Sequence, residues 1–221
     1  SIDKLEESQL EIVVINDTNK SLVTNYLKNY LQQSYNECFT NHEFDITKNQ
    51  NQVHYILKDK NPYRQNVYSF LTLFDRYGAP GNIATLDINN NPMTEYYDIN
   101  FILQGQYSIW NVCNTRKMSH RGNCKMLLCK FLDYFTDVNK LHQNDLSLIV
   151  LEDNLAARKC YETFGFVYEY LDKDQTKLLR FRYIQGNEVF LLMRRKATAY
   201  LPEEHKCTNL VIKMIDDENR K

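Results

Sequence analysis

The sequence predicts an α/β fold whose sheet runs in mixed directions. Three observations lead there. Apolar runs of strand length and stretches of helical periodicity follow the order strand, helix, two or three strands, strand, helix, strand, helix, two strands. The run "LSLIVL" (Leu146–Leu151) is continuous and apolar, which suits a strand buried on both faces. A length of 221 residues with 43% hydrophobic content supplies one sizeable core, or one domain with extensions.

The elements follow in order. "LEIVVIND" (Leu10–Asp17) is a β-branched strand. Asp17 or Thr18 caps a helix whose apolar residues Leu22, Tyr26, Leu27, Tyr30 and Leu31 share one face. "TNHEFDITKNQNQ" is a polar connection, and Ile56–Asn66 is ambiguous because Pro62 interrupts it. "NVYSFLTLFDRY" and "NIATLDIN", joined by "GAPG", read as a hairpin. "NNNPMTE" is a loop, and "YYDINFIL" (Tyr96–Leu103) is an extra strand or an extended lid. "YSIWNVCN" (Tyr107–Asn114) is a strand leading into "SHRGNCKMLL", where a helix begins near Gly122. After "LSLIVL" comes the helix "NLAARKCYETFGF", closed by Gly165. "FVYEY" and "NEVFLLMRR" are the last strands of the main fold, while "NLVIKMI" in the tail is a candidate added strand.

Composition narrows the function classes. A net charge of −1 gives no field that would make nucleic acid the main partner. No apolar run approaches the ~20 residues of a membrane span, and "SIDKLEESQL" lacks the basic start and apolar block of a signal peptide. Cytoplasmic residence is the expectation. Cys38, Cys113, Cys124, Cys129, Cys160 and Cys207 form no CxxC pair, and the five histidines supply no metal-site spacing. Reduced thiols and no metal are therefore expected. Heavy use of Asn and Tyr beside scarce Gly and Pro suits an AT-rich genome, such as that of a large DNA virus; it carries no functional signal.

Two helix starts carry the chemistry. In "SIWNVCNTRKMSHRGNCKMLL" a strand feeds a polar loop and the loop feeds a helix. The N–H groups and positive dipole end of that helix make an anion site, with Arg121 adding charge and Gly122 allowing close backbone approach. Most such crossovers bind nothing, so the signal is weak alone. In "LIVLEDNLAARKCYETFGF", Asn154, Ala157 and Tyr161 share one helical face. Ordinary amphipathic packing gives the same spacing.

Taken together, the two stretches resemble the GNAT acetyltransferase family. "HRGNCKMLL" is similar to its acetyl-CoA motif, Arg/Gln-x-x-Gly-x-Gly/Ala. Val150, Asn154, Ala157, Tyr161, Gly165 and Phe166 fall where the family has them. The resemblance covers about 107–170, is topological over 10–103 and is silent on the tail. It departs at Cys124 and Met126, which stand at the signature glycine and the final Gly/Ala; Met126 is expected to turn into the core. The resemblance implies a mostly antiparallel central sheet with helices on both faces. It also implies a single acyltransferase domain over 1–195, with 196–221 as a C-terminal extension.

It further implies acetyl-CoA as cosubstrate and an amine, on a small molecule or a protein, as acceptor. No nucleic acid, membrane or metal is expected from the composition, and a monomer or homodimer is the expected assembly. Arg121 and the backbone amides of Gly122, Asn123, Cys124 and Lys125 would hold the pyrophosphate. Val112, Cys113 and Asn114 would lie along the pantetheine arm, which Asn154 also contacts. Tyr161 would protonate the leaving thiolate as the amine attacks the thioester directly. The base is not legible. Ser108 stands where histone-type members carry Glu, and Glu95, Asp98, Glu152, Asp153 or a water relay are alternatives. Cys113 and Cys124 are bystanders, with no His–Asp partner visible. The alternative is a catalytically silent module that binds CoA or a protein partner, which Cys124 and Met126 favour.

Overall fold

A computed structural model describes residues 4–15, 52–64, 67–74, 81–98, 107–114, 120–137, 145–197 and 207–214. In chain order, β1 (Lys4–Glu6) runs through a 3₁₀ turn, Glu7–Gln9, into β2 (Leu10–Ile15). Then come β3 (Gln52–Asp59), β4 (Val67–Phe74), β5 (Asn82–Leu86), β6 (Pro92–Asp98), β7 (Tyr107–Asn114) and the two-residue β8 (His120–Arg121). Helix α1 (Asn123–Asp137), β9 (Leu146–Leu151) and helix α2 (Leu155–Thr163) follow. The chain continues with β10 (Val167–Tyr168), β11 (Arg180–Tyr183) and β12 (Phe190–Arg195), then a 3₁₀ turn at Cys207–Asn209 and β13 (Val211–Met214). The helix expected over Leu22 to Leu31 lies outside the described residues, as does "YYDINFIL" beyond Asp98.

The chain forms two compact units, one of Ser1–Thr72, Asn111–Lys140 and Leu201–Lys221, the other of Leu73–Trp110 and Leu141–Tyr200.

In the first unit β2 pairs antiparallel with β3 from Leu10↔Asp59 to Ile15↔His54, and β4 lies beyond β3. Every residue of β4 is buried, so its polar members need partners. Ser69 Oγ donates to Asn114 Oδ1 at 2.8 Å, Thr72 Oγ1 lies 2.8 Å from His54 Nδ1, and Tyr68 Oη donates to Asp59 at 2.9 Å. Helix α1 buries Met126, Leu127, Leu128, Cys129, Phe131 and Leu132. Its Phe131 meets Tyr55 of β3 edge to face. A small second sheet, ordered β1–β13–β8, joins the first strand to the last.

In the second unit β9 is the hub. It pairs antiparallel with β12 over six positions, Phe190↔Leu151 to Arg195↔Leu146, and parallel with β7 from Tyr107 to Ile109. The order continues β12–β11–β5–β6, with β10 also on β12. Antiparallel ladders thus dominate a mixed sheet, as expected. Ile83, Leu179, Phe181 and Leu192 form its apolar centre, against which Trp110 and Phe190 pack.

Two expectations are corrected. The strands flanking "GAPG" do not form a hairpin. Both edges of β5 are taken, one by β6 through the Asp87–Asn91 turn and the other by β11, while β4 neighbours β3 and β7. The cysteines whose side chains are described are not reduced thiols. Cys129 of α1 is disulfide-bonded to Cys207, Cys124 and Cys160 are each in a disulfide, and no described cysteine is free. Burial places Cys129 and Cys207, 78 residues apart, with Cα atoms 5.6 Å from each other, a proximity that spacing along the chain does not encode.

Candidate active site

The anion loop lies in the first unit. Strand β7 carries Val112, half-buried, and Asn114, exposed at its end; the side chain of Cys113 is outside the described residues. Gly122 has φ +91°, a conformation that L side chains rarely adopt, and its carbonyl accepts from Met126 N at 3.0 Å, closing the first turn of α1. First-turn N–H groups lack intrahelical acceptors, and the exposed Arg121 and Lys125 add positive charge beside them. Asn123 is buried at the helix start. Its Nδ2 donates to Tyr68 O at 3.3 Å and its Oδ1 has no partner among the described residues. Met126 is fully buried. Cys124 is disulfide-bonded and offers no thiolate.

A protein neighbour missed by sequence reading lies against this loop. Strand β13 pairs with β8 as Lys213↔Arg121 and Met214↔His120. A β-carbon on Gly122 would stand 2.5 Å from Val211 O. The close approach that this glycine permits is therefore to the chain's own backbone. Short, distant strands such as these carry no local signal; "NLVIKMI" was the one cue.

The second unit holds α2. Asn154 is its N-cap, with Oδ1 accepting from Ala157 N at 3.1 Å. At the other end Phe166 N donates to Tyr161 O at 3.2 Å and Gly165 N to Glu162 O at 3.1 Å, with Gly165 at φ +85°. These bonds make a Schellman cap, and the Tyr161–Phe166 ring contact is its usual apolar companion. Asn154, Gly165, Phe166 and the Tyr161 ring thus have local work as helix caps. The Tyr161 hydroxyl does not. It has no hydrogen bond among the described residues, the side chain is buried, and burial pushes its pKa up to about 12.

The base candidates divide. Ser108 is buried and shares a hydrogen bond of 2.9 Å with Ser147. Glu152 is ion-paired with Arg180, whose guanidinium holds the carboxyl below its ordinary range and makes it a weak base. Asp153 is exposed on an open depression of about 340 Å³ that Glu152 and Glu188 also line. Glu95 and Asp98 lie on β6 with side chains outside the described residues. Cys129, Asp133 and Cys207 bring potential metal-ligand atoms within 4.8 Å of one another, but both sulfurs are committed to their disulfide.

The fold and these residues define a mixed α/β protein with a helix-start loop suited to anions and a separate buried phenol. No protein-family model matches the chain, and no curated protein does. Among solved structures it is similar to a dodecameric spermidine N-acetyltransferase from Vibrio cholerae, with 16% identity, 86% of this chain and 95% of that one covered, and a TM-score of 0.45. It is also similar to a putative phosphinothricin N-acetyltransferase (14%, 85% and 98%, 0.44) and to the Campylobacter jejuni N-acetyltransferase PseH (11%, 85% and 98%, 0.40). At such identities and scores a likeness decides nothing about activity, cofactor or assembly.

Proposed function

We propose that the chain is an N-acetyltransferase of the GNAT type, moving an acetyl group from acetyl-CoA to a primary amine by direct attack. The observation that carries this reading is Tyr161: its side chain is buried, its phenol is protonated at neutral pH, and its hydroxyl has no hydrogen bond among the described residues. The hydroxyl is not among the side-chain atoms sealed from solvent without a partner, so it is free to donate to a group that approaches it. Its role is to give its proton to the thiolate leaving the thioester.

The loop residues fit a phosphorylated cosubstrate. Arg121 and Lys125 supply exposed cations, the amides of Gly122, Asn123, Cys124 and Lys125 form the helix start, and the burial of Met126 removes the side chain most at odds with the motif. Val112, Cys113 and Asn114 offer strand backbone to the pantetheine arm. Asn154 keeps its amide nitrogen for the same arm while its oxygen caps α2. The acceptor is a small-molecule or protein amine, and the protein works in the cytoplasm as a monomer or homodimer without a metal. Residues 1–195 carry the activity and 196–221 are an extension.

Calorimetric titration with acetyl-CoA, followed by thiol release over a panel of amines, tests this reading. Binding and amine-dependent release are expected; absence of binding overturns it. A second reading, a silent CoA-binding or partner-binding module, is favoured by the engagement of β8 by β13 beside the loop. Tyr161→Phe separates the two, because a silent module has no turnover to lose.

A further inference from the structure

We propose that the Cys129–Cys207 disulfide is a redox latch: closed, it holds β13 against the Gly122 loop, and reduced, it lets that strand leave. Three contacts converge on this segment. The disulfide ties the turn that precedes β13 to α1, six residues beyond the helix start. β13 supplies the only strand described beside β8, through two residue pairs. The Val211 carbonyl is packed so closely on Gly122 that no β-carbon fits between them.

The ladders holding β13 are short, three residue pairs to β1 and two to β8, and pairings of that length are marginal in water. The cross-link at the turn that precedes β13 tethers a parted strand beside its partners; with the bond open, the short ladders hold it alone.

The opening step balances with a dithiol as reductant. Its thiolate attacks Sγ of Cys207, displacing Cys129 as a thiolate that takes up a proton. The second thiol of the reductant then attacks the mixed disulfide, leaving Cys207 as a thiol and the reductant as a cyclic disulfide. Two electrons and two protons pass to the protein. The carboxylate of Asp133 lies 3.1 Å from Cys207 Sγ. A bonded sulfur has no hydrogen to donate, but the freed Cys207 thiol has one, and Asp133 accepts it. The adjacent negative charge disfavours the Cys207 thiolate and slows reclosure.

With β13 in place, the lone pairs of Val211 O face the loop and oppose an anion there. That the released loop binds acetyl-CoA better rests on the function proposed above; release of the strand does not.

The test uses the full chain, oxidised and after dithiothreitol, and the double variant C129S/C207S, which opens this bond without touching those of Cys124 and Cys160. Hydrogen exchange is followed over 120–122 and 207–214, with β9 and β12 as folding controls, and acetyl-CoA is titrated into each form. Exchange of β8 and β13 amides is expected to rise by at least about tenfold in the variant, with β9 and β12 still protected, and to rise in the reduced protein as well. Acetyl-CoA is expected to bind at least about tenfold tighter than in the oxidised form. Asp133→Asn is expected to speed reclosure severalfold. Unchanged exchange in β8 and β13 with β9 and β12 protected overturns the latch. If the variant unfolds, C129A/C207A, which opens the same bond alone, decides by the same exchange criterion. Loss of protection throughout both variants also overturns it, for the bond is then a structural staple. Absence of acetyl-CoA binding in every form overturns the cofactor reading, while exchange still decides the latch.

Discussion

Gly122 and Val211 are in backbone contact: a β-carbon on the first would meet the carbonyl oxygen of the second at 2.5 Å, and the φ of Gly122 is +91°. Strain and clash therefore coincide at one position. Gly122→Ala is expected to cost about 1–3 kcal/mol of stability, measured by chemical denaturation. A cost near zero would mean that β13 is easily displaced.

Tyr161→Phe keeps the ring that completes the helix cap and removes only the hydroxyl. Amine-dependent thiol release is expected to fall by roughly 10²–10⁴-fold, with acetyl-CoA affinity and thermal stability nearly unchanged. Undiminished turnover would remove Tyr161 as the acid. Because burial sets its pKa at about 12, the phenol stays protonated through the neutral range. No alkaline limb below pH 9 or so is therefore assigned to it in a rate profile.

Asn154→Ala removes the α2 cap and is expected to lower stability by about 1 kcal/mol. A rise in KM for acetyl-CoA in Asn154→Asp, which keeps the capping oxygen but lacks the N–H donors, would show that the amide nitrogen touches the cosubstrate. A wild-type KM in Asn154→Asp would confine Asn154 to capping.

His54 is buried and stacked on Phe70, and desolvation lowers its pKa from 6.5 to about 4. The unfolded chain binds this proton more readily than the folded one, so the stabilising contribution is complete above pH 6.5 and is lost as pH falls toward 4. Urea denaturation is expected to show a decline of about 2–3 kcal/mol across that window from this group. His54→Gln should flatten it. An unaltered slope in the variant would assign the decline to other groups.

Glu152→Gln removes one carboxylate from the list of bases. Arg180 already holds Glu152 ionised, and the pair is partly exposed, so thiol release is expected to persist and stability to change by less than about 1 kcal/mol. Abolished turnover with an intact fold would restore Glu152 as the base.

Much of the second half was legible because its signals are local. The apolar run Leu146–Leu151, the cap at Asn154 and the glycine at 165 each act within a few residues, and β7, α1, β9, α2 and β12 fall where periodicity places them. β3 was obscured by the polar stretch that precedes it, and β11, "RFRY", alternates Arg with aromatics and reads as surface. The "GAPG" hairpin failed because the turn is local but the pairing is not: β11, nearly a hundred residues on, occupies the edge that β4 would have used. The contacts that surround the anion loop are of this second kind. Nothing near Gly122 announces Val211, and nothing near Cys129 announces Cys207. The base is illegible for another reason, since solvated carboxylates look alike in sequence until partners such as Arg180 distinguish them.

The antiparallel pairing of β1 with β13 sets Lys4 opposite Lys213, and Lys213 in turn lies opposite Arg121. Three cationic residues, Lys4, Lys213 and Arg121, all exposed, thus stand in a row across the small sheet beside the helix-start loop. Like charges placed directly opposite one another weaken a ladder, and salt screens them, so this sheet is expected to tighten as ionic strength rises. A polyanion laid along the row would tighten it in the same way.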